Sequence, residues 1–258
     1  MSYTAHVIDE AYGYDGSFQG LLCCIFESYA RRELPAAVLP PEEGQLTMFG
    51  MRQIQTDPVR ARRVAAGVDR LGHDVKNILY KGFLSCEPGK DLVLLRFARF
   101  CFEHPDRPAD QLGNEEVAAA AALARAVGNE AGKYVELMRF EQRGRMLGAV
   151  IHPRNRILPL LRRHFCSRLP DEDFLIFDAT NGVAMVRQRG QVQYLAMERY
   201  ERGRDEGDLD WQALWKRFFN AVSVEERRNE KLQMSHVPKR YWRDLCEMQP
   251  DAAERERQ

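Results

Sequence analysis

Phe18, Leu21, Leu22, Ile25, Phe26 and Tyr29 recur at steps of three and four residues. That spacing lines one face of an α-helix. Ser17 stands where an N-cap is needed, and Pro35, Pro40 and Pro41 close the helix and open a loop. Upstream, Ala5 to Asp9 reads as a short strand, and Met51 to Gln55 as a second. Asp57-Pro58 predicts a further N-cap with proline at the first helical position. Helices are expected at about 58–70, 74–85, 90–103 and 115–145. The alanine-rich stretch from Glu115 to Ala126 has high helix propensity and little to bury, and Gly128 and Gly132 are expected to break or kink it.

From Leu147 the period shortens. Leu147 to Ile151 reads as a strand and Ile157 to Arg168 as a helix. Phe174–Phe177 and Val183–Val186 are joined across Asn181-Gly182, a strong hairpin signal. Gly190 marks a second turn before Val192 to Met197, so an antiparallel meander is predicted, with Arg187 and Arg189 on its exposed side. After the charged loop Glu198 to Asp210, Trp211, Leu214, Trp215, Phe218, Phe219 and Val222 share one helical face. The fold class expected is α+β. Residues 1–145 form a mainly helical region with a short strand pair, 146–249 an α+β region with the meander and a basic C-terminal motif, and 250–258 a disordered tail.

Composition narrows the picture. With 45% hydrophobic and 29% charged residues, the 258-residue chain is an ordinary globular sequence. No apolar run approaches the roughly 18 to 20 residues of a membrane span. Met1 to Glu10 lacks the basic and apolar regions of a signal peptide, so a cytoplasmic location without membrane association is expected. Six cysteines occur without a C-x-x-C pair and read as reduced, partly buried small hydrophobes. His152, His164 and His236 lack paired ligand spacing, so no metal site is predicted. Neither a P-loop nor a G-x-G-x-x-G is present, and no cofactor is expected.

The net charge of zero conceals segregation. Arg139, Arg143, Arg145, Arg154, Arg156, Arg162, Arg163 and Arg168 fall in one stretch with a single acid, Glu141. Guanidinium forks match phosphate oxygens, and phosphate contacts supply most sequence-independent affinity for DNA. The competing reading is a solvated face ion-paired to the acidic loops. Arg228, Lys231, Lys239 and Arg240 add a second basic segment, in which Trp242 either stacks on bases or packs on the core. Asp15-Gly16-Ser17 precedes a helix whose N-terminus attracts anions, but Asp15 repels them, so capping explains this segment better than a site does. His152-Pro153-Arg154-Asn155 has a faint likeness to a glycosylase active-site loop, without the companion aspartate motif. Asp15, Glu27 and Asp178 are candidate acids that nothing in the sequence brings together.

Tyr14-Asp15-Gly16-Ser17-Phe18 with the helix that follows, Asn155 to Leu160 with His164-Phe165 and Arg168 to Asp171, and Asn229, Gln233 and Pro238 to Trp242 including Tyr241 together carry a resemblance. Across nearly the whole chain the sequence resembles an uncharacterised family of DNA-metabolism or DNA-repair proteins. The resemblance implies partnership with a radical-SAM protein, whose three-cysteine motif is absent here. Some relatives continue into a uracil-DNA glycosylase-like domain, of which this sequence shows no trace, so glycosylase activity is not expected. The family offers no established reaction, and no residue inherits a catalytic role. The function expected is a DNA-binding or accessory component, with an enzyme acting on damaged bases or backbone as one alternative. A protein-binding adaptor, using the Trp211–Val222 face, is another.

Overall fold

The computed structural model describes residues 5–41, 50–200, 234, 236–245 and 248. The chain divides into two units, 1–129 and 130–258, with the boundary inside a long helix.

In the first unit, Ser17 caps helix α1 (Phe18–Arg31), its Oγ accepting from the Gly20 N–H, and the predicted stripe is buried through Leu21, Leu22 and Ile25. Strand β1 (His6–Val7) pairs in parallel with β3 (Glu33–Leu34). Strand β2 (Glu10–Gly13) is the middle of a second parallel sheet in the order β4-β2-β5, with β4 (Ala37–Leu39) and β5 (Gly50–Gln53) on either side. The strand expected over 5–9 is the shorter β1, with a second strand, β2, starting just beyond it at Glu10, and the N-terminal strand content exceeds a pair. Parallel partners are joined by crossovers rather than tight turns, so no local turn signal announces them.

Helices α2 (Pro58–Leu71), α3 (His73–Phe83) and α4 (Lys90–Glu103) follow close to their expected positions. Phe18 at the head of α1 packs edge-on to Tyr80 and against Phe83 of α3. Arg99, buried in α4, donates to Ser28 O and Oγ, which satisfies a charge that would otherwise be costly to bury.

Helix α5 (Glu115–Leu137) runs unbroken past Gly128 and Gly132, so neither glycine breaks it, and it ends eight residues before the predicted 145. Its alanines do bury a stripe. Val117, Ala120, Ala124, Val127, Ala131 and Tyr134 recur at steps of three and four and are all buried. Small residues hide this periodicity, because alanine signals helix without signalling a core.

The second unit holds a five-stranded mixed sheet in the order β10-β9-β8-β7-β6. The strands are β6 (Glu141–Arg143), β7 (Met146–Ile151), β8 (Asp173–Asp178), β9 (Val183–Gln188) and β10 (Gln191–Ala196). Strands β8, β9 and β10 form the predicted antiparallel meander, turning at Gly182 and Gly190, whose positive φ of 66° and 78° glycine adopts without strain. Strand β7 instead pairs in parallel with β8, across helix α6 (Leu158–Arg168). Leu161 and Phe165 of α6 are buried, and Phe140 meets Phe165 and Phe174 edge-on. A short 3-10 turn, Lys239–Asp244, buries Tyr241. The Trp211–Val222 face, the acidic loop from residue 201, Arg228, Asn229, Lys231, Gln233 and the 250–258 tail lie outside the described residues. Among the described residues no helix is long and apolar enough to cross a membrane.

Candidate nucleic-acid interface

Strand β7 ends at Ile151, and the chain then crosses to α6 through His152–Ile157. This loop is fastened by two carboxylates remote in sequence. Glu130, on the last part of α5 and only 3% exposed, accepts from the backbone N–H of Arg154 and Asn155 at 2.9 Å each and from Asn155 Nδ2 at 2.7 Å. Asp244, at the end of the 3-10 turn, lies 2.7 Å through Oδ1 from His152 Nδ1, which fits Nδ1–H donating to the carboxylate. Its Oδ2 accepts from Tyr134 Oη at 3.3 Å, and that hydroxyl in turn accepts from the His152 N–H at 3.2 Å. Burial, and then the Asp244 charge, push the Tyr134 hydroxyl well above the ordinary phenol range, so it remains a donor.

With both carboxylates so engaged, the cations of the loop face outward. Arg154 and Arg156 are exposed at the carboxyl edge of β7. Arg162 and Arg163 are exposed midway along α6 and Arg168 at its end, and α6 has no side-chain N-cap. Arg154, Arg162, Arg163 and Arg168 make no ion pair with a described carboxylate. Leu160, Arg163, His164, Ser167 and Arg168 line an open depression of about 450 Å³ on the outer side of α6. Within it, His164 Nε2 is buried without a hydrogen-bond partner among the described residues.

The arginine-rich stretch is not one cluster. Arg145 lies at the β6–β7 turn, at the opposite end of β7 from His152; the strand between them separates the two by about 23 Å. Arg139 donates to Leu137 O, and the side chain of Arg143 lies outside the described residues. On the meander, Arg187 is engaged with the carbonyls of Pro170 and Glu172, while Arg189 is exposed.

The C-terminal motif joins the loop. Tyr241 meets Tyr134 edge-on at 5.2 Å, and Arg240 Nη2 donates to Tyr241 Oη at 2.6 Å while lying 3.9 Å from Glu130. Lys239 and Arg240 are exposed. Trp242 is half-buried and donates its indole N–H to Val237 O at 2.8 Å, so it anchors the turn that Pro238 opens. Sequence reading did not single out Glu130, Tyr134 or Asp244. Glu130 and Tyr134 sit in a helix that looked solvated, and Asp244 lies 92 residues from its histidine, so no spacing pattern could have paired them.

In the first unit, Tyr14 is buried, Gly16 has φ 75°, and Asp15 and Ser17 form the turn into α1. Asp178, at the end of β8, accepts from the N–H of Thr180 and Asn181 and from Asn181 Nδ2, shaping the hairpin turn. Glu27 pairs with Arg31 and Arg60. The three acids proposed from sequence thus serve separate local roles. No group of three or more metal-ligating side chains converges among the described residues.

A family model described as a domain of unknown function, DUF4130, matches residues 88–247. No curated protein and no solved structure matches the chain.

Proposed function

The chain belongs to the DUF4130 family of unknown function, and from that premise we propose that its second unit grips nucleic-acid phosphates as an accessory component of DNA metabolism, beside a radical-SAM partner. One observation carries the reading. Arg154, Arg162, Arg163 and Arg168 stand exposed and free of described carboxylates, while the nearest buried carboxylates, Glu130 and Asp244, are occupied in holding the loop. Solvated arginines that are not neutralised locally are what counterion release from a polyanion requires. Lys239 and Arg240 extend the same rim. The resemblance of the sequence to DNA-metabolism proteins supports DNA as the polyanion and a radical-SAM protein as the neighbour; a uracil-DNA glycosylase-like protein is a further candidate partner.

The test is retention of the whole chain on double- and single-stranded DNA over a salt series. The double substitution R162A/R163A is expected to weaken double-stranded binding equally for unrelated sequences. It also makes the slope of log K against log salt about 1.8 less steep, 0.9 for each phosphate that is no longer neutralised. An unchanged slope and affinity overturn the reading.

A second reading, acid–base catalysis on nucleic acid, is favoured by the His152–Asp244 pair alone. A carboxylate on Nδ1 orients an imidazole and leaves Nε2 to act, and His152 is 24% exposed. On that reading His152→Gln abolishes turnover of a DNA substrate without loss of affinity; on the binding reading it changes neither by much.

A further inference from the structure

The Tyr14–Phe18 motif plays no part in the second unit's interface, yet it borders a crevice of about 520 Å³ in the first. The crevice opens beyond the carboxyl ends of β2, β4 and β5, between the loop leaving β2 and the loop leaving β5. Because β2 is central, the strands that follow it lie on opposite sides of it. In open α/β sheets, ligands bind outside the carboxyl ends of the strands where the order reverses in this way. The volume falls within the roughly 300 to 1,000 Å³ of small-molecule sites.

Asp15 is held rigidly at this crevice. Its Oδ1 accepts from Ser17 N at 2.9 Å and Ser17 Oγ at 2.7 Å, and its Oδ2 accepts from Thr56 Oγ1 at 2.8 Å, tying the two loops together. Partial burial acts to raise its pKa, but the hydrogen bonds from Ser17 and Thr56 outweigh it and hold the carboxyl below its ordinary value. Oδ1 has both lone-pair positions filled and Oδ2 keeps one, on an exposed residue. Gly20 makes the arrangement possible. A Cβ there falls 2.7 Å from the Tyr14 ring and 3.0 Å from Thr56 Oγ1, and would also strike Asp15. Around this acceptor the wall is mixed: Pro40, Pro41 and the 42%-exposed Met51 offer flat apolar surface, and Gln53 and Gln55 offer amides. No described residue lining the crevice carries a positive charge.

We propose that this crevice binds a neutral nucleoside or its free base. An apolar slot accepts the heterocycle, glutamine amides match a base edge that both donates and accepts, and the Asp15 carboxylate takes a hydroxyl or amino donor. Among the described lining residues a phosphate finds no counter-charge, and it meets Asp15. The same chemistry disfavours a base carried in a nucleic-acid strand, so the occupant is a nucleoside or base free of phosphate. Nucleoside binding here does not depend on phosphate binding by the second unit and survives its failure.

Calorimetric titration of the full chain with adenosine, guanosine, cytidine and thymidine tests it, with adenosine 5′-monophosphate and a short single-stranded oligodeoxynucleotide as comparison arms. At least one nucleoside is expected to bind more tightly than about 1 mM. Substituting Gln53→Ala, an exposed side chain, and Asp15→Asn should each weaken it about tenfold, the order expected for losing one good hydrogen bond. Addition of a 5′-phosphate to the best nucleoside should weaken it at least as much. R162A/R163A should leave it unchanged, which separates the two sites. The proposal is overturned if no nucleoside saturates, if Q53A binds as the unsubstituted chain does, or if the monophosphate or the oligonucleotide binds better than the nucleoside.

Discussion

Two parallel strand-to-helix crossings, one in each unit, use the same backbone plan with opposite chemistry. In the first, β2 leads through Tyr14-Asp15-Gly16-Ser17 into α1, whose N-terminus is capped by Ser17. In the second, β7 leads through His152-Pro153-Arg154-Asn155-Arg156 into α6, which has no side-chain cap. The acid of the first loop is exposed at a crevice, whereas the acids of the second, Glu130 and Asp244, are buried beneath the loop and turn its cations outward. A carboxylate's place relative to the loop, more than its presence, therefore sets the sign of the surface. An exposed acid repels phosphate; one turned inward and occupied, as Glu130 is by backbone N–H groups and Asp244 by His152 and Tyr134, supports a cationic rim.

The strongest way to break this comparison is to remove the buried acid. Glu130→Ala leaves the N–H groups of Arg154 and Asn155 and the Asn155 amide without their acceptor, and is expected to destabilise the chain by about 3 kcal/mol or more in urea unfolding. DNA retention should fall with it, since the rim loses its support. A loss below about 1 kcal/mol means the loop is held by other interactions. Giving the second loop the charge of the first is the next step. Arg154→Asp should lower DNA affinity about tenfold with little change in thermal midpoint, because the Arg154 side chain is exposed and only its backbone bonds Glu130. Equal retention of the variant and the parent would show that the rim does not meet phosphate. In the first unit, Ser17→Ala removes a cap at a half-buried helix start and should cost about 1 kcal/mol, leaving DNA retention intact.

The smallest expected effect is a pH dependence. Burial raises Asp178 above its ordinary value, outweighing the bonds from Asn181 and Thr180 that lower it. A carboxyl raised on folding contributes stability fully below its unfolded value of 3.8, and loses it as pH rises through the folded one. The stability of the parent relative to Asp178→Asn should therefore increase as pH falls from 7 towards 4. Denaturation midpoints of both proteins across that range measure it, and a difference that stays flat or shrinks contradicts the assignment.

Much of the second unit was legible beforehand. The Asn181-Gly182 pair marked the hairpin because Gly182 takes the positive φ that closes its four-residue turn, and the strand and helix on either side of His152 followed from apolar runs. Arg154, Arg162 and Arg163 could be picked as candidates because they fall in a run of arginines with a single acid, and a helix with Leu161 and Phe165 on one side must turn Arg162 and Arg163 elsewhere. Glu130, Tyr134 and Asp244 could not, since a helical Glu among alanines and an Asp near a chain end carry no mark of burial. The parallel pairings of β2 were hidden for a related reason: each joins strands separated by a helix or a long loop.

Sequence by itself determined the helices, the meander and the surplus of arginine, because these depend on periodicity, turn residues and composition within a few neighbours. Tertiary structure alone decided which charges are buried and satisfied and which stand at a surface. It brought His152 to Asp244, Asn155 to Glu130 and Thr56 to Asp15. The physical reason is that hydrogen bonding and desolvation act over a few ångströms of space, whatever the distance along the chain.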